Sequence, residues 1–91
     1  MIIKILEISE TNYNVIVESS SKTEHNVSLE SSYYKKLTLE KISKKKLIEL
    51  SFEFLLARES NSSILSKFDL SLISNYFPEF ENEIIIKIKE I

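Results

Sequence analysis

The stretch TEHNVSLESSYYKKL, residues 23–37, decides the fold of this chain because its apolar period changes part-way along. Up to Leu29 the apolar side chains recur at every second position, which is typical of a half-buried strand. From Ser31 onward the spacing becomes helical, and Ser31 or Ser32 is a suitable N-terminal cap. The sequence therefore predicts a β region followed by an α region, which is the α+β class.

Two further strands are predicted before this point. Residues 2–9 (IIKILEIS) carry apolar side chains on both faces, as a strand that is covered on both sides does. Residues 13–18 alternate between apolar and polar positions, and polar turns at 10–12 and 19–22 separate the strands. We expect these three strands to form an antiparallel meander.

The helical half is predicted to contain a central helix at residues 44–58, capped by Ser43. Apolar side chains cover most of the circumference of that helix, so it must lie beneath other elements or at an interface. Shorter helices are expected around 64–68 and after Asp69, which gives two to four helices in total. Residues 83–91 alternate again, and we predict a C-terminal strand there, beside the first strand. The result is a four-stranded, mainly antiparallel sheet with helices on one face.

The composition of the 91 residues excludes several classes of site. A chain of this length is predicted to form a single domain over residues 1–91. It has no cysteine, which excludes disulfides and thiolate metal sites, and no glycine, which excludes glycine-rich phosphate loops. Turns that need a positive φ are expected at asparagine or aspartate, or are avoided by longer loops. The candidates are Asn12, Asn14, Asn61 and Asn75.

The N-terminus has no signal-peptide pattern, and no apolar run is long enough to cross a membrane. We therefore expect a cytoplasmic protein without a membrane partner. Isoleucine and lysine are abundant beside a single arginine and a single alanine. This bias is typical of an AT-rich genome and indicates a bacterial source.

The titratable residues form no obvious catalytic set. His25 is the only histidine, and on the apolar face of a strand it is more often hydrogen-bonded in the core than a general base. Glu79, Glu81 and Glu83 would share one side of an extended segment, where acid–base work requires a concave site. We predict that the chain has no catalytic residue and binds no metal or cofactor, and that it is therefore not an enzyme.

Residues 35–46 carry a local charge of +5, while the whole chain carries −2. Lysines beside aromatic rings are the groups that contact phosphates and stack on bases. Residues 44–46 also begin the central helix, where the helix dipole disfavours cations. The simpler interpretation is a solvated lysine surface that salt screens. The candidate patch for an anion or a nucleic acid consists of Tyr33, Tyr34, Lys35, Lys36, Lys41, Lys44, Lys45 and Lys46.

Arg58 is the only arginine, and it lies at the end of the predicted central helix, where a cation suits the helix dipole. Its planar guanidinium can bind carboxylates through two nitrogens. We predict a structural ion pair between Arg58 and Glu79 or Glu81, with Asp69 as a further acidic candidate. Such a pair would tie the helix end to the C-terminal segment.

A string of short motifs in the C-terminal half resembles a family of short bacterial proteins. The matching pieces are residues 52–56 (FEFLL), 58–59 (RE), 63–65 (SIL), Phe68 and 76–80 (YFPEF). No activity, cofactor or catalytic residue is attached to this family. The resemblance therefore implies a bacterial, cytoplasmic, single-domain protein and carries no function with it.

We expect a non-enzymatic protein-interaction module that associates with itself or with another protein. The first strand and the central helix carry more apolar surface than one small sheet-on-helix layer covers. The alternative is a small protein that binds nucleic acid or an anion through residues 35–46, and residues 64–77 also have the rhythm of a helix-turn-helix. A third hypothesis, a small enzyme, requires a concave site around His25 or the three C-terminal glutamates.

Overall fold

The structure, a computed structural model, describes residues 1–91 and contains four strands and four α-helices. The elements are β1 (Ile2–Glu7), β2 (Asn12–Glu18), β3 (Lys22–Ser28), α1 (Ser31–Thr38), α2 (Lys44–Leu56), β4 (Lys67–Asp69), α3 (Ile73–Tyr76) and α4 (Phe80–Lys89). Two single-turn 3₁₀ segments, Asn61–Ser63 and Leu70–Leu72, flank β4.

The four strands form one sheet in the order β1-β2-β3-β4. β1 and β2 pair antiparallel, β2 and β3 pair antiparallel, and β4 runs parallel to β3. The α+β class, the antiparallel meander and the four-stranded sheet are therefore confirmed.

Alternation along the strands places the core on one face of the sheet. Val15, Val17 and Val27 are fully buried on this inner face, and α2 packs against β1 from the same side. The outer face is uncovered, since Ile2 and Leu6 are 54% and 51% exposed. The expectation that the first strand is covered on both sides is wrong, because β1 is an edge strand with one solvent-facing side.

Helix α2 forms the centre of the core, as its sequence predicts. The side chain of Ser43 caps it by accepting a hydrogen bond from the backbone N–H of Lys46 at 3.0 Å. Leu47, Ile48 and Phe52 are fully buried against the sheet and the other helices. The helix ends at Leu56, two residues before the expected end.

The predicted C-terminal strand is wrong, because residues 83–91 belong mostly to helix α4. Phe80, Ile84 and Ile88 recur at every fourth position and are all buried, which is the stripe that a helix presents to a core. The alternation of isoleucines fits a strand equally well, but a strand would place Ile86 on the same face as Ile84 and Ile88, whereas Ile86 is 56% exposed. Acidic side chains in the first turn and lysines in the last turn also suit the dipole of α4.

The fourth strand is β4 instead, in a region where the sequence predicted a short helix around 64–68. The backbone N–H of Asn26 donates to Ser66 O at 2.7 Å and starts the parallel ladder. Phe68 then points into the core. A strand at this position, followed by a helix of only four residues, is incompatible with a helix-turn-helix.

The left-handed backbone lies in the connection between α1 and α2 rather than at any asparagine. Leu39 and Glu40 have φ angles of 52° and 58°. The residue after a helix often adopts this conformation to satisfy the last carbonyls, and glycine usually occupies it. This chain has no glycine, so two residues with side chains adopt the left-handed conformation at a steric cost. Thr38 supports the turn through its hydroxyl, which accepts from the N–H of Glu40 at 3.0 Å.

Candidate interaction surfaces

β1 forms one edge of the sheet, and no strand pairs with it on the side away from β2. The N–H of Ile8 donates to Asn12 O at 2.9 Å, in line with the register of the β1–β2 ladder. Hydrogen-bonded pairs alternate along an antiparallel ladder, so the even positions of β1 bond to β2. The N–H and C=O groups of Ile3, Ile5 and Glu7 therefore point to the free edge.

The free edge of β1 has few of the features that prevent an edge strand from pairing with a strand of another chain. It is six residues long, contains no proline and keeps an uninterrupted register with β2. Lys4 is its only cation, and that ammonium lies 3.2 Å from Glu18 of the neighbouring strand. Ile8 extends the apolar outer face with an exposure of 63%. The opposite edge, β4, is only three residues long.

A groove of about 310 Å³ runs between the inner side of β1 and the start of α2. Ile3 and Ile5 form its apolar wall, and Lys45, Lys46 and Glu49 form its polar wall. The ammonium of Lys46 lies 3.1 Å from Glu49, whereas Lys45 is exposed and has no ion-pair partner. The free edge of β1 is therefore bordered by an unpaired positive charge.

A second groove, of about 370 Å³, lies between the end of α2, the residues before β4 and helix α3. Phe68 and Ile73 lie at its base, and the exposed side chains of Leu65 and Tyr76 lie at its rim. Glu59 is the only carboxylate in its wall. The lining of this groove is mostly apolar.

The lysines of the predicted anion patch do not converge on one point. Lys44 Nζ donates to Glu10 O at 2.9 Å and to Ser31 Oγ at 3.0 Å, so this ammonium is tied to the β1–β2 turn and to α1. Lys46 is paired with Glu49. The lysines that remain exposed without a hydrogen bond or ion pair are Lys35, Lys36, Lys41 and Lys45.

Both tyrosines of that patch are engaged within the chain. The hydroxyl of Tyr33 donates to Glu81 Oε2 at 2.8 Å, and that of Tyr34 donates to Ile42 O. Burial and the hydrogen bond to Glu81 raise the pKa of Tyr33 above the ordinary tyrosine value. Both rings are half-buried and pack against the core. They act as packing groups, and Lys44 Nζ also lies 5.8 Å from the centre of the Tyr34 ring.

His25 lies in the core at 2% exposure and forms part of a buried polar chain. Its Nδ1 lies 2.7 Å from Leu65 O, and since a carbonyl only accepts, Nδ1 carries the proton. Its Nε2 lies 2.9 Å from Thr23 Oγ1, and this hydroxyl oxygen accepts a hydrogen bond from Asn61 Nδ2 at 3.0 Å. The ring packs on Phe52 with centroids 5.5 Å apart. This arrangement fastens the loop before β4 to β3, and His25 lines neither of the two grooves described above.

Arg58 bridges the end of α2 and the start of α4. Its Nη2 lies 2.8 Å from Glu83 Oε2, and its Nε lies 3.4 Å from Glu79 Oε2. Its Nη1 donates to Phe54 O at 3.0 Å, and its guanidinium stacks on the Phe54 ring at 3.6 Å. Glu81 is not a partner, because in a helix it lies on the side that faces Tyr33. The three glutamates are therefore not aligned on one side, and Glu83 occupies the place predicted for Glu81.

Asp69 joins β3, β4 and the following turn, and it does not contact Arg58. It accepts from Ser28 Oγ at 2.7 Å and from the backbone N–H of Ser71 at 3.1 Å. Burial acts to raise the pKa of Asp69, but these hydrogen bonds outweigh it and hold the pKa below the ordinary aspartate value. The side chain caps the 3₁₀ turn, as the sequence predicts.

Sequence reasoning missed the free edge of β1 and the apolar groove beside α3. For the edge, the signal was present in residues 2–9, whose apolar side chains occupy both faces. That pattern is typical of a strand that is covered on both faces, and also of an edge strand whose exposed face can contact another chain. For the groove there was no local signal, because its walls come from segments that only the tertiary fold brings together.

No protein-family model matches the chain, and neither a curated protein nor a solved structure shows significant similarity to it. The resemblance of residues 52–80 to short bacterial proteins therefore stays a prediction. No three side chains of the types His, Cys, Asp and Glu come close enough together to hold a metal ion. None of the helices is long and apolar enough to cross a membrane.

Proposed function

We propose that this protein is a non-enzymatic interaction module that self-associates through the free edge of β1. One observation carries the proposal: β1 is a six-residue edge strand that has no partner strand on the side away from β2. Its apolar side chains on the outer face of the sheet are also exposed. The bacterial and cytoplasmic setting that the composition indicates is part of this proposal.

Two physical features support association at this edge. Unpaired backbone N–H and C=O groups on a flat strand are a template for another strand, and main-chain hydrogen bonds then provide affinity. The exposed side chains of Ile2, Leu6 and Ile8 add apolar surface beside those groups. Nucleic-acid binding has less support, because Tyr33 and Tyr34 are engaged within the chain.

Sedimentation velocity or light scattering over a range of protein concentrations tests the proposal. We expect the mass to change from that of one chain to that of two as the concentration rises. Leu6→Lys, on the outer face of β1, should shift this transition to a concentration at least tenfold higher, because it puts a charge on the associating strand. Ile86→Lys is the matched control, since Ile86 is a similarly exposed isoleucine on α4, at 56%.

A wild-type protein that remains a single chain at millimolar concentration would overturn the proposal. A dimer that Leu6→Lys and Ile86→Lys weaken equally would show that another surface associates. Circular dichroism of both variants verifies that neither substitution has unfolded the chain.

A further inference from the structure

We propose that two copies pair their β1 strands antiparallel about a two-fold axis at Ile5, so that the two sheets form one eight-stranded sheet. This register rests on the self-association proposed above and defines it residue by residue. In it, Ile3 lies opposite Glu7 of the second copy, Lys4 lies opposite Leu6, and Ile5 lies opposite Ile5.

The backbone favours this register. The free groups of β1 belong to its odd positions, and the three odd positions within the strand are Ile3, Ile5 and Glu7. With the axis at Ile5, these residues face one another as hydrogen-bonded pairs, each exchanging two bonds. All free N–H and C=O groups within both strands are then satisfied.

The side chains exclude the neighbouring registers. Directly opposed residues in an antiparallel pair lie on the same face, so a shift by one residue would place inner-face side chains opposite outer-face ones. Of the remaining registers, only those centred on Lys4 or Ile5 pair five residues within the strand bounds. The register centred on Lys4 places two ammonium groups directly opposite each other, which is unfavourable.

The charges complement each other across the axis at Ile5. Glu7 is exposed, lies on the inner-face side of β1 and has no ion-pair partner in its own chain. Opposite it lies Ile3 of the second copy, which lines the groove that also contains the unpaired Lys45. Each dimer then contains two symmetric contacts between a Glu7 carboxylate and a Lys45 ammonium.

Disulfide cross-linking tests the register, and the cysteine-free chain makes the background clean. Lys4 and Leu6 of two copies would form a non-hydrogen-bonded pair, whose Cα separation of about 4.5 Å suits a disulfide. We expect a mixture of Lys4→Cys and Leu6→Cys chains to form mixed covalent dimers under mild oxidation. Leu6→Cys alone should cross-link at least tenfold less, and Ile86→Cys mixed with Lys4→Cys is the control.

The outcomes separate the register from the association itself. If a mixture of Ile2→Cys and Leu6→Cys chains, which keep Lys4, cross-links better than the mixture of Lys4→Cys and Leu6→Cys chains, the axis lies at Lys4 and the proposed register is wrong. If the wild-type protein is a dimer but no β1 cysteine cross-links, both the register and the use of β1 are wrong. If the wild-type protein is a single chain at millimolar concentration, the proposed function itself fails.

Charge exchange gives an independent test of the contact between Glu7 and Lys45. Lys45→Glu should raise the dimer dissociation constant by about tenfold, because it turns two attractive contacts into repulsive ones. It should not unfold the chain, since an acidic residue suits the first turn of α2. The double variant Glu7→Lys/Lys45→Glu should restore most of the affinity. A double variant as weak as the sum of both single variants would contradict the contact.

Discussion

Replacing Arg58 by lysine should lower the stability of the fold although the charge is kept. The arginine contacts Glu79, Glu83 and the carbonyl of Phe54 at once, and its guanidinium carbon lies 3.6 Å from the centre of the Phe54 ring. A lysine ammonium is a single point charge and can keep one of these contacts, but it has no planar group to stack. It does keep a positive charge at the end of α2.

The magnitude follows from the contacts that are lost. Stacking of a cation on an aromatic ring at a partly exposed site contributes about 0.5–1 kcal/mol. An ion pair with a half-exposed carboxylate contributes about 0.2–1 kcal/mol, and Glu79 and Glu83 are 47% and 46% exposed. Arg58→Lys should therefore lower the free energy of unfolding by about 1 kcal/mol. In a domain of this size that lowers Tm by roughly 4–8 °C.

Thermal and urea unfolding, followed by circular dichroism, measure this change. Arg58→Ala should cost about 2–3 kcal/mol, because the charge at the helix end and the bond to Phe54 are lost as well. Lys46→Ala is the control, since the ammonium of Lys46 contacts one half-exposed carboxylate, and should cost less than about 0.5 kcal/mol. An unchanged Tm in Arg58→Lys would refute the idea that the guanidinium ties α2 to α4.

Two further substitutions probe the backbone and the pH dependence. Leu39→Gly should stabilise the protein by about 0.5–1 kcal/mol in thermal unfolding, because glycine adopts φ of 52° without steric cost and the Leu39 side chain is 70% exposed; a lower Tm would contradict the strain. The folded-state pKa of Asp69 lies below its unfolded value, so its stabilisation is present above about pH 4 and is lost as the pH falls through the folded-state pKa. Asp69→Asn should therefore be less stable than wild type in urea at pH 7 and differ less at pH 3, whereas a constant difference would exclude this linkage.

The parts of the fold that local patterns determine could be predicted from the sequence. The alternation in β2 and β3 and the cap at Ser43 depend on neighbouring residues only, and the structure contains both. The Asp69 cap belongs to the same class. These features need no knowledge of which elements pack together.

The errors arose where distant contacts decide between two local possibilities. The pattern of residues 84–88 fits a strand and a helix equally well, and the exposure of Ile86 between the buried Ile84 and Ile88 is what selects the helix. β4 depends on pairing with β3 about forty residues earlier in the chain, which no local period reveals. The candidate surface at β1 was missed for the same reason, since its edge is free only because the C-terminal segment is helical.

The two edges of the sheet are unequal, and this inequality would limit the size of the proposed assembly. The edge formed by β4 offers only three residues, and the edge formed by β1 offers six. A two-fold pairing of β1 with itself uses the same surface on both copies and leaves only the short edges outside. The proposed assembly would then be closed at two chains, and the free edge of β1 would not lead to a growing fibre.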